Sequence, residues 1–426
     1  MGAKNRFESD ELINRLHGDK VIWIIFFLLG LFSIALVYSA SSSLAFKAKT
    51  TNFPYLIRQL KFIIMGLVVL YTCYRIPIGW YRLLSVPALF LCIGLLLIIA
   101  LKGKEVNGAK RWIEVGGSQS FQPTEIAKIA VVLYLARILE ISKLDTFREY
   151  LIRILLPIGL VCVLLMVGSV STALFIGLVS FFILFIAGVK WSYLLKSAGL
   201  AIVGGIVLII IHASFGVFPR MDTATNRIKK FFVKEEVSKE MTAEEKQETA
   251  DKTFQADMAK IAISSVGILG KGPGNSTQRY VLPHAYSDYI YTIIIEEYGL
   301  VGALFVLMLY IWLLYRCVIL VKNCKKVFTA VVVGGFGLLI TTQALIHILV
   351  NVGIFPVTGH TLPLISSGGS SIMIVCCAFG IILSVSRTID MATNKKAVEI
   401  STEKSDTYEE KESPNEEEEI IDKEEI

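Results

Sequence analysis

Three short stretches of this sequence carry residue types that do chemistry, at spacings that would bring them together. In LPHAYSDYIYTIIIEEYG at 282–299, Asp288 stands among Tyr286, Tyr289 and Tyr291 where a polar stretch runs into an apolar one. A lone carboxylate held by aromatic anchors at a membrane interface can act as a general base. The plainer use of the same residues is a Ser287/Asp288 cap on a helix N-terminus. In FQPTEIAK at 121–128, Pro123 suits a first helical turn, and Glu125 and Lys128 share one face closely enough to pair. Such a pair can open a polar cavity; alternatively Glu125 complements the helix dipole while Lys128 snorkels to the interface. In TLPLISSGGSS at 361–371, Ser366, Gly368 and Gly369 belong to a backbone able to turn N–H groups toward an anion such as pyrophosphate. Most stretches of that composition are simply turns before a helix.

A charge inside a spanning helix costs roughly 2.5–3.5 kcal/mol on insertion scales, so each one needs an explanation. Glu296 and Glu297 lie two turns beyond Asp288 in an apolar run, and at least one of them must find a basic or hydrogen-bonding partner, for which Lys128 is a candidate. None of His17, His212, His284, His347 and His360 has a partner at metal-ligand spacing, and His347 is expected to hydrogen-bond between helices. No P-loop, nucleophile elbow or HExxH occurs, and no metal ligands are assigned.

The elements that must position these residues are apolar runs of about 20 residues, the length a helix needs to cross ~30 Å of hydrocarbon. They fall near 21–40, 59–78, 84–101, 123–140, 150–168, 170–189, 192–212, 290–315, 328–350 and 370–387. The expected fold is therefore all-α: a polytopic membrane protein of about ten transmembrane helices, with one large extracytoplasmic loop between helices 7 and 8. With 54% hydrophobic and only 18% charged residues, the chain suits lipid better than water. Its parts are a cytoplasmic N-terminus at 1–20, a ten-helix membrane domain at 21–390 with an outer loop at 213–289, and a disordered acidic cytoplasmic tail at 391–426. A solvated surface helix is expected over 234–252.

Formal charge is +6, but 401–426 holds twelve acids against three bases, which leaves about +15 on the rest. Arg137, Lys143, Arg148 and Arg153 cluster after the fourth run and Arg316, Lys322, Lys325 and Lys326 after the eighth, whereas 351–369 has no Lys or Arg. The positive-inside rule then puts both termini in the cytoplasm and the 213–289 and 351–369 connections outside. The basic excess reads as topology and as contact with membrane lipids, not as a nucleic-acid surface. Seven cysteines lie in or beside apolar runs with no CxxC pair, which supports neither a disulfide framework nor a metal knuckle.

Taken in order, VYSASS (37–42), NGAKRWIEVGG (107–117), FQPTEIAK (121–128), GKGPGNSTQRYVLPHAYSDYIYTIIIEEYG (270–299) and PVTGHTLPLISSGGSS (356–371) resemble the SEDS family (shape, elongation, division and sporulation), which includes RodA and FtsW. The wording of VYSASS and TLPLIS is closer to the division branch, FtsW. The resemblance implies an inverting peptidoglycan glycosyltransferase that polymerises lipid II, the undecaprenyl-linked disaccharide peptide, at the outer face of the bacterial cytoplasmic membrane. It implies a class B penicillin-binding protein and division or elongation complex proteins as partners. The family's catalytic aspartate falls on Asp288, and its fourth-helix acid and base fall on Glu125 and Lys128. Ser367 stands where the family commonly has a tyrosine, and Ser120 where a basic residue often precedes the Gln-Pro step, so Lys110 or Arg111 is expected to supply that charge. Positive charge for a departing pyrophosphate would come from Lys128, Arg111, Arg220 or Arg227, or from a divalent cation, Mg or Mn, that no carboxylate cluster places. Two other readings use the same residues: a lipid II flippase, which needs alternating access, and a non-catalytic scaffold that activates the penicillin-binding protein.

Overall fold

A computed structural model of the chain describes residues 17–42, 51–102, 104–106, 109–114, 120–215, 266–278 and 286–412, with isolated positions at 49, 221, 222, 225 and 258. Among these the helices are α1 (Lys20–Ala40), α2 (Phe53–Arg75), α3 (Ile78–Lys102), α4 (Thr124–Ile141), α5 (Phe147–Gly168), α6 (Val170–Ile186), α7 (Trp191–Phe215), α8 (Ile290–Asn323), α9 (Val327–Asn351) and α10 (Gly369–Glu412). Each coincides with one of the ten apolar runs to within a few residues at its ends, apart from the longer C-terminal ends of α8 and α10. Eight are long and apolar enough to cross a membrane. Of the other two, α6 is shorter, at 17 residues, and α4 carries Glu125, Lys128, Arg137 and Glu140. Because most are apolar around their whole circumference, burial is decided by neighbours and not by one face. α9 and α10 are the most enclosed, while α7 and α2 leave most of their surface for lipid. α9 packs on α8, α4 and α6, and α4 lies against both α3 and α9.

The chain divides into two units, Met1–Lys20 with Val385–Ile426, and Val21–Ser384. In the first, the Asp19 N–H donates to Ser386 Oγ at 2.7 Å. The second holds every residue of the candidate site that the structure describes.

Three features depart from the expectations above. Between α3 and α4 the chain forms a small antiparallel sheet of β1 (Lys104–Val106), β2 (Ala109–Glu114) and β3 (Ser120–Phe121), pairing Val106 with Ala109 and Ile113 with Phe121. The Asn107-Gly108 dipeptide was the available hairpin signal. α10 continues to Glu412, through residues read as a disordered tail; Lys395 and Glu399 stand at a spacing that supports a helix. Finally, α8 reaches Asn323 and is broken at Gly299, which sits at φ 68 and ψ −164. The carbonyls freed there are taken by a returning segment: Lys271 N–H donates to Glu296 O and Gly272 N–H to Glu297 O, both at 2.9 Å. A Cβ on Gly270 would lie 2.5 Å from the Glu297 carbonyl oxygen. The surface helix expected over 234–252, Arg220 and Arg227 lie outside the described residues, as do the side chains of Lys110 and Arg111 in β2.

The break at Gly299 makes a direct prediction. Gly299→Ala forces a Cβ into the Ile268–Gly270 backbone at a positive φ, and is expected to destabilise the fold by about 2 kcal/mol or more. Thermal unfolding of the purified protein in detergent measures it, with Gly30→Ala, where a Cβ meets nothing, as the neutral comparison.

Candidate active site

Asp288 lies half-buried just before α8, on a stretch whose carbonyls are tied down one after another. Tyr286 O accepts from Ser367 N–H at 3.0 Å, Ser287 O from Ser366 Oγ at 2.7 Å, and Asp288 O from Asn351 Nδ2 at 3.1 Å. Asn351, 1% exposed at the end of α9, also accepts from the N–H and Oγ1 of Thr292 at 3.2 and 2.9 Å. One buried amide thus joins the residue before the helix to its first turn. The N-cap of α8 is Tyr289, with no side-chain cap bond, so the capping role weighed for Ser287 and Asp288 is not what the structure builds.

The loop that supplies Ser366 and Ser367 is itself held by the helices around it. His360 O accepts from His347 Nδ1 at 2.7 Å, Thr361 O from Gln343 Nε2 at 2.9 Å, Pro363 O from Tyr310 Oη at 2.6 Å and Ile365 O from Ser33 Oγ at 3.0 Å. Ser366 closes the turn internally as well, its Oγ accepting from Leu362 N–H at 2.8 Å. Ser366, expected to face an anion, therefore spends its groups on the turn and on Ser287. Gly369 is needed for packing: a Cβ there would come within 2.7 Å of the Phe62 ring. Gly368 accepts the Ile372 N–H that starts α10.

Glu125 and Lys128 do pair. Lys128 Nζ lies 2.9 Å from each Glu125 carboxylate oxygen and 2.9 Å from Gln343 Oε1, and 5.7 Å over the Phe175 ring. An ammonium has three donors, and three acceptors surround this one. Since Gln343 also donates to Thr361, the pair is wired to the same loop that holds Asp288. Glu296 and Glu297 do not use Lys128. Glu296, fully buried, accepts from Lys271 Nζ at 2.7 Å, Thr277 N–H at 3.0 Å, Thr277 Oγ1 at 2.8 Å, Gln278 N–H at 3.3 Å and Ser276 Oγ. Glu297 accepts from Ser39 Oγ. Both acids are structural staples, Glu296 gathering the 271–278 segment around its carboxylate and Glu297 joining α8 to α1.

Sequence reasoning missed Asn351, Gln343 and Arg58. A signal for the first two existed: Gln343, His347 and Asn351 recur every four residues along one face of an otherwise apolar helix. Arg58 had none, because only the fold brings α2 to this place. Its guanidinium stacks 5.6 Å over Phe62, the ring that lies on Gly369. Burial pushes the Tyr286 phenol up, the Arg58 charge opposes that shift, and Asp288 and Tyr55 add to it. Arg58, Tyr55, Tyr286 and Asp288 therefore share one electrostatic neighbourhood. Among the described residues no three His, Cys, Asp or Glu side chains come together to hold a metal, which leaves a divalent cation without a described site.

These features define a multi-pass α-helical membrane protein in which a half-buried aspartate stands on a backbone held by successive hydrogen bonds. The chain belongs to the FtsW/RodA/SpoVE family of cell cycle proteins, whose family pattern matches residues 19–390. It is 31% identical, over 90% of its length and 94% of the relative's, to a probable peptidoglycan glycosyltransferase FtsW of Hydrogenovibrio crunogenus. It is 29% identical to the peptidoglycan glycosyltransferase MrdB of Escherichia coli K12, covering 87% of this chain and 94% of that one. Among solved structures it resembles a chain of a peptidoglycan synthase complex that coordinates polymerization and crosslinking, with a TM-score of 0.66, 25% identity, and coverage of 87% and 98%. The fold also matches RodA of Thermus thermophilus, with a TM-score of 0.62 at 23% identity over 88% of this chain and 98% of that one.

The buried pair gives a stability test. Lys128→Met strands the Glu125 carboxylate and is expected to cost about 3–5 kcal/mol. The double variant Glu125→Gln/Lys128→Met should recover most of that loss in thermal unfolding.

Proposed function

We propose that this chain is an inverting peptidoglycan glycosyltransferase that polymerises lipid II into glycan strands at the outer face of the bacterial cytoplasmic membrane. The observation that carries the reading is the mounting of Asp288: a half-buried aspartate whose backbone carbonyl and the two before it are each fixed by a separate hydrogen bond. A general base must be held close to its proton, and a backbone fixed at three successive carbonyls supports that role.

In the reaction, an acceptor sugar hydroxyl attacks the anomeric carbon of the donor from the face opposite the lipid pyrophosphate. The new oxygen–carbon bond forms as the bond to the pyrophosphate oxygen breaks, so an α-linked donor becomes a β-linked unit. Asp288 takes the hydroxyl proton, a contribution of about 10²–10⁴-fold. The leaving pyrophosphate needs positive charge beside it. Arg58 stands in the Asp288 neighbourhood and is exposed, which suits it to that part. Lys110, Arg111 and Arg220 are further donors of charge in the proposal. Lys128, with its three donors engaged, acts through Gln343 on the loop that holds the Asp288 backbone. Lipid tails run between helices, which is why a sugar-transferring enzyme is built from membrane spans. A class B penicillin-binding protein cross-links the product; the likeness to a chain of a synthase complex that couples polymerization to crosslinking supports that partner. Both termini lie in the cytoplasm in this reading, and the protein works within the division or elongation complex.

Two measurements test the site. With the partner's transpeptidase blocked by a β-lactam, wild type is expected to convert fluorescent lipid II to polymer, and folded Asp288→Asn to lose roughly 100-fold or more. Equal polymer from both removes Asp288 as the base. Asn351→Ala, which releases Asp288 O and the first turn of α8, is expected to lower kcat about 100-fold with little change in KM; an unaltered kcat would dismiss the frame as a catalytic device.

A further inference from the structure

The basic residues after α4 have no part in the chemistry above. Lys143, Arg148 and Arg153 lie in the connection to α5 and its first turns, and Lys190 and Lys196 lie around the start of α7; all five are exposed. The same stretches hold two carboxylates, Asp145 and Glu149, so positive charge is in excess. Two of the cations stand over a built aromatic wall. The rings of Phe147, Tyr150 and Tyr193 pack on one another with centroids 5.6 to 6.0 Å apart. Lys196 Nζ stands 5.1 Å over Phe147, and Lys190 Nζ 5.5 Å over Tyr193. Tyr193 Oη and Lys190 Nζ both donate to Asp145 O, at 2.7 and 3.3 Å, which locks the α6–α7 turn against the start of α5.

The backbone here is unusual as well. Leu151–Leu155 is wound as a π turn, with the Leu156 N–H reaching Leu151 O. π turns inside α-helices re-aim the residues they carry and concentrate at functional sites. This one carries Arg153, whose Nη1 donates to Ser142 Oγ at 2.9 Å and whose carbonyl accepts from Tyr134 Oη at 2.6 Å. Beside the cations, exposed apolar side chains continue along the spans: Ile152 and Leu156 on α5, Trp191 and Leu195 on α7. Charge at the helix ends with apolar surface directly beneath fits an amphiphile, not a free anion.

We propose that the junction of α5 with the α6–α7 turn binds the phosphodiester headgroup of an anionic phospholipid, held by Lys190, Lys196, Arg148 and Arg153 with an acyl chain along Ile152, Leu156 and Leu195. The site is separate from Asp288 and does not depend on the glycosyltransferase reading. A basic residue near an anionic headgroup contributes about 1 kcal/mol, so each lysine is worth roughly fivefold in affinity.

The test uses the full chain, delipidated in detergent and titrated with phosphatidylglycerol, with bound lipid counted by native mass spectrometry. Wild type is expected to retain phosphatidylglycerol and not phosphatidylcholine. Lys190→Gln/Lys196→Gln should lose roughly 30-fold in apparent affinity, whereas Lys190→Arg/Lys196→Arg keeps it. Lys196→Gln alone leaves the Lys190 contact to Asp145 in place and guards against a folding failure, with an expected loss of roughly fivefold. Lys322→Gln/Lys325→Gln, at the α8–α9 edge, should change nothing. Equal losses from the two Gln pairs, no loss from any variant, or displacement of the lipid by inorganic phosphate at equal concentration would each overturn the proposal.

Discussion

Backbone that is buried but not helical has to find its hydrogen bonds inside the protein, because no water reaches it. Two stretches of this chain face that demand, and the way they meet it organises the site. The 360–367 loop gives four carbonyls to His347, Gln343, Tyr310 and Ser33, side chains of α9, α8 and α1. Having been fixed by the helices, it then fixes the approach to α8, through Ser366 and Ser367. The position of Asp288 is thus the last link in a chain that starts in buried side chains of α9, α8 and α1.

The second stretch is the break in α8 at Gly299. Opening a helix releases carbonyls and an N–H: Lys271 and Gly272 N–H take the carbonyls, and Ile268 O takes the Val301 N–H. The Glu296 carboxylate does the complementary work, accepting from side chains and N–H groups of the same returning segment. A carboxylate buried without such partners would be prohibitively costly. With them, it gathers a polar segment against a membrane helix.

Buried charge and accessible charge have separated cleanly. Glu125, Lys128 and Glu296 are enclosed and satisfied, Glu297 is enclosed and bonded to Ser39, and all four serve architecture. Asp288 and Arg58 keep access to the surroundings. Desolvation cost explains the division: a group that must change partners during a reaction cannot also be the group whose partners hold the fold together.

How much of this was legible beforehand follows from the range over which each signal acts. The ten helices were written in the sequence, because spanning hydrocarbon demands about 20 apolar residues wherever the segment sits. The Glu125–Lys128 pair was legible too, since a helix places residues three apart side by side. The break at Gly299 was not, since a lone glycine in an apolar run does not say that another backbone will approach it. The partners of Glu296 and Glu297 were misjudged for a related reason: Lys271 and Ser39 are 25 and 258 residues away in sequence, and only packing selects them over Lys128. The sequence by itself determined the membrane class, the family motifs and the residues that must carry charge. Tertiary structure alone decided which charges are spent on the fold and which are left for chemistry, because desolvation and hydrogen bonding depend on neighbours that the order of residues does not name.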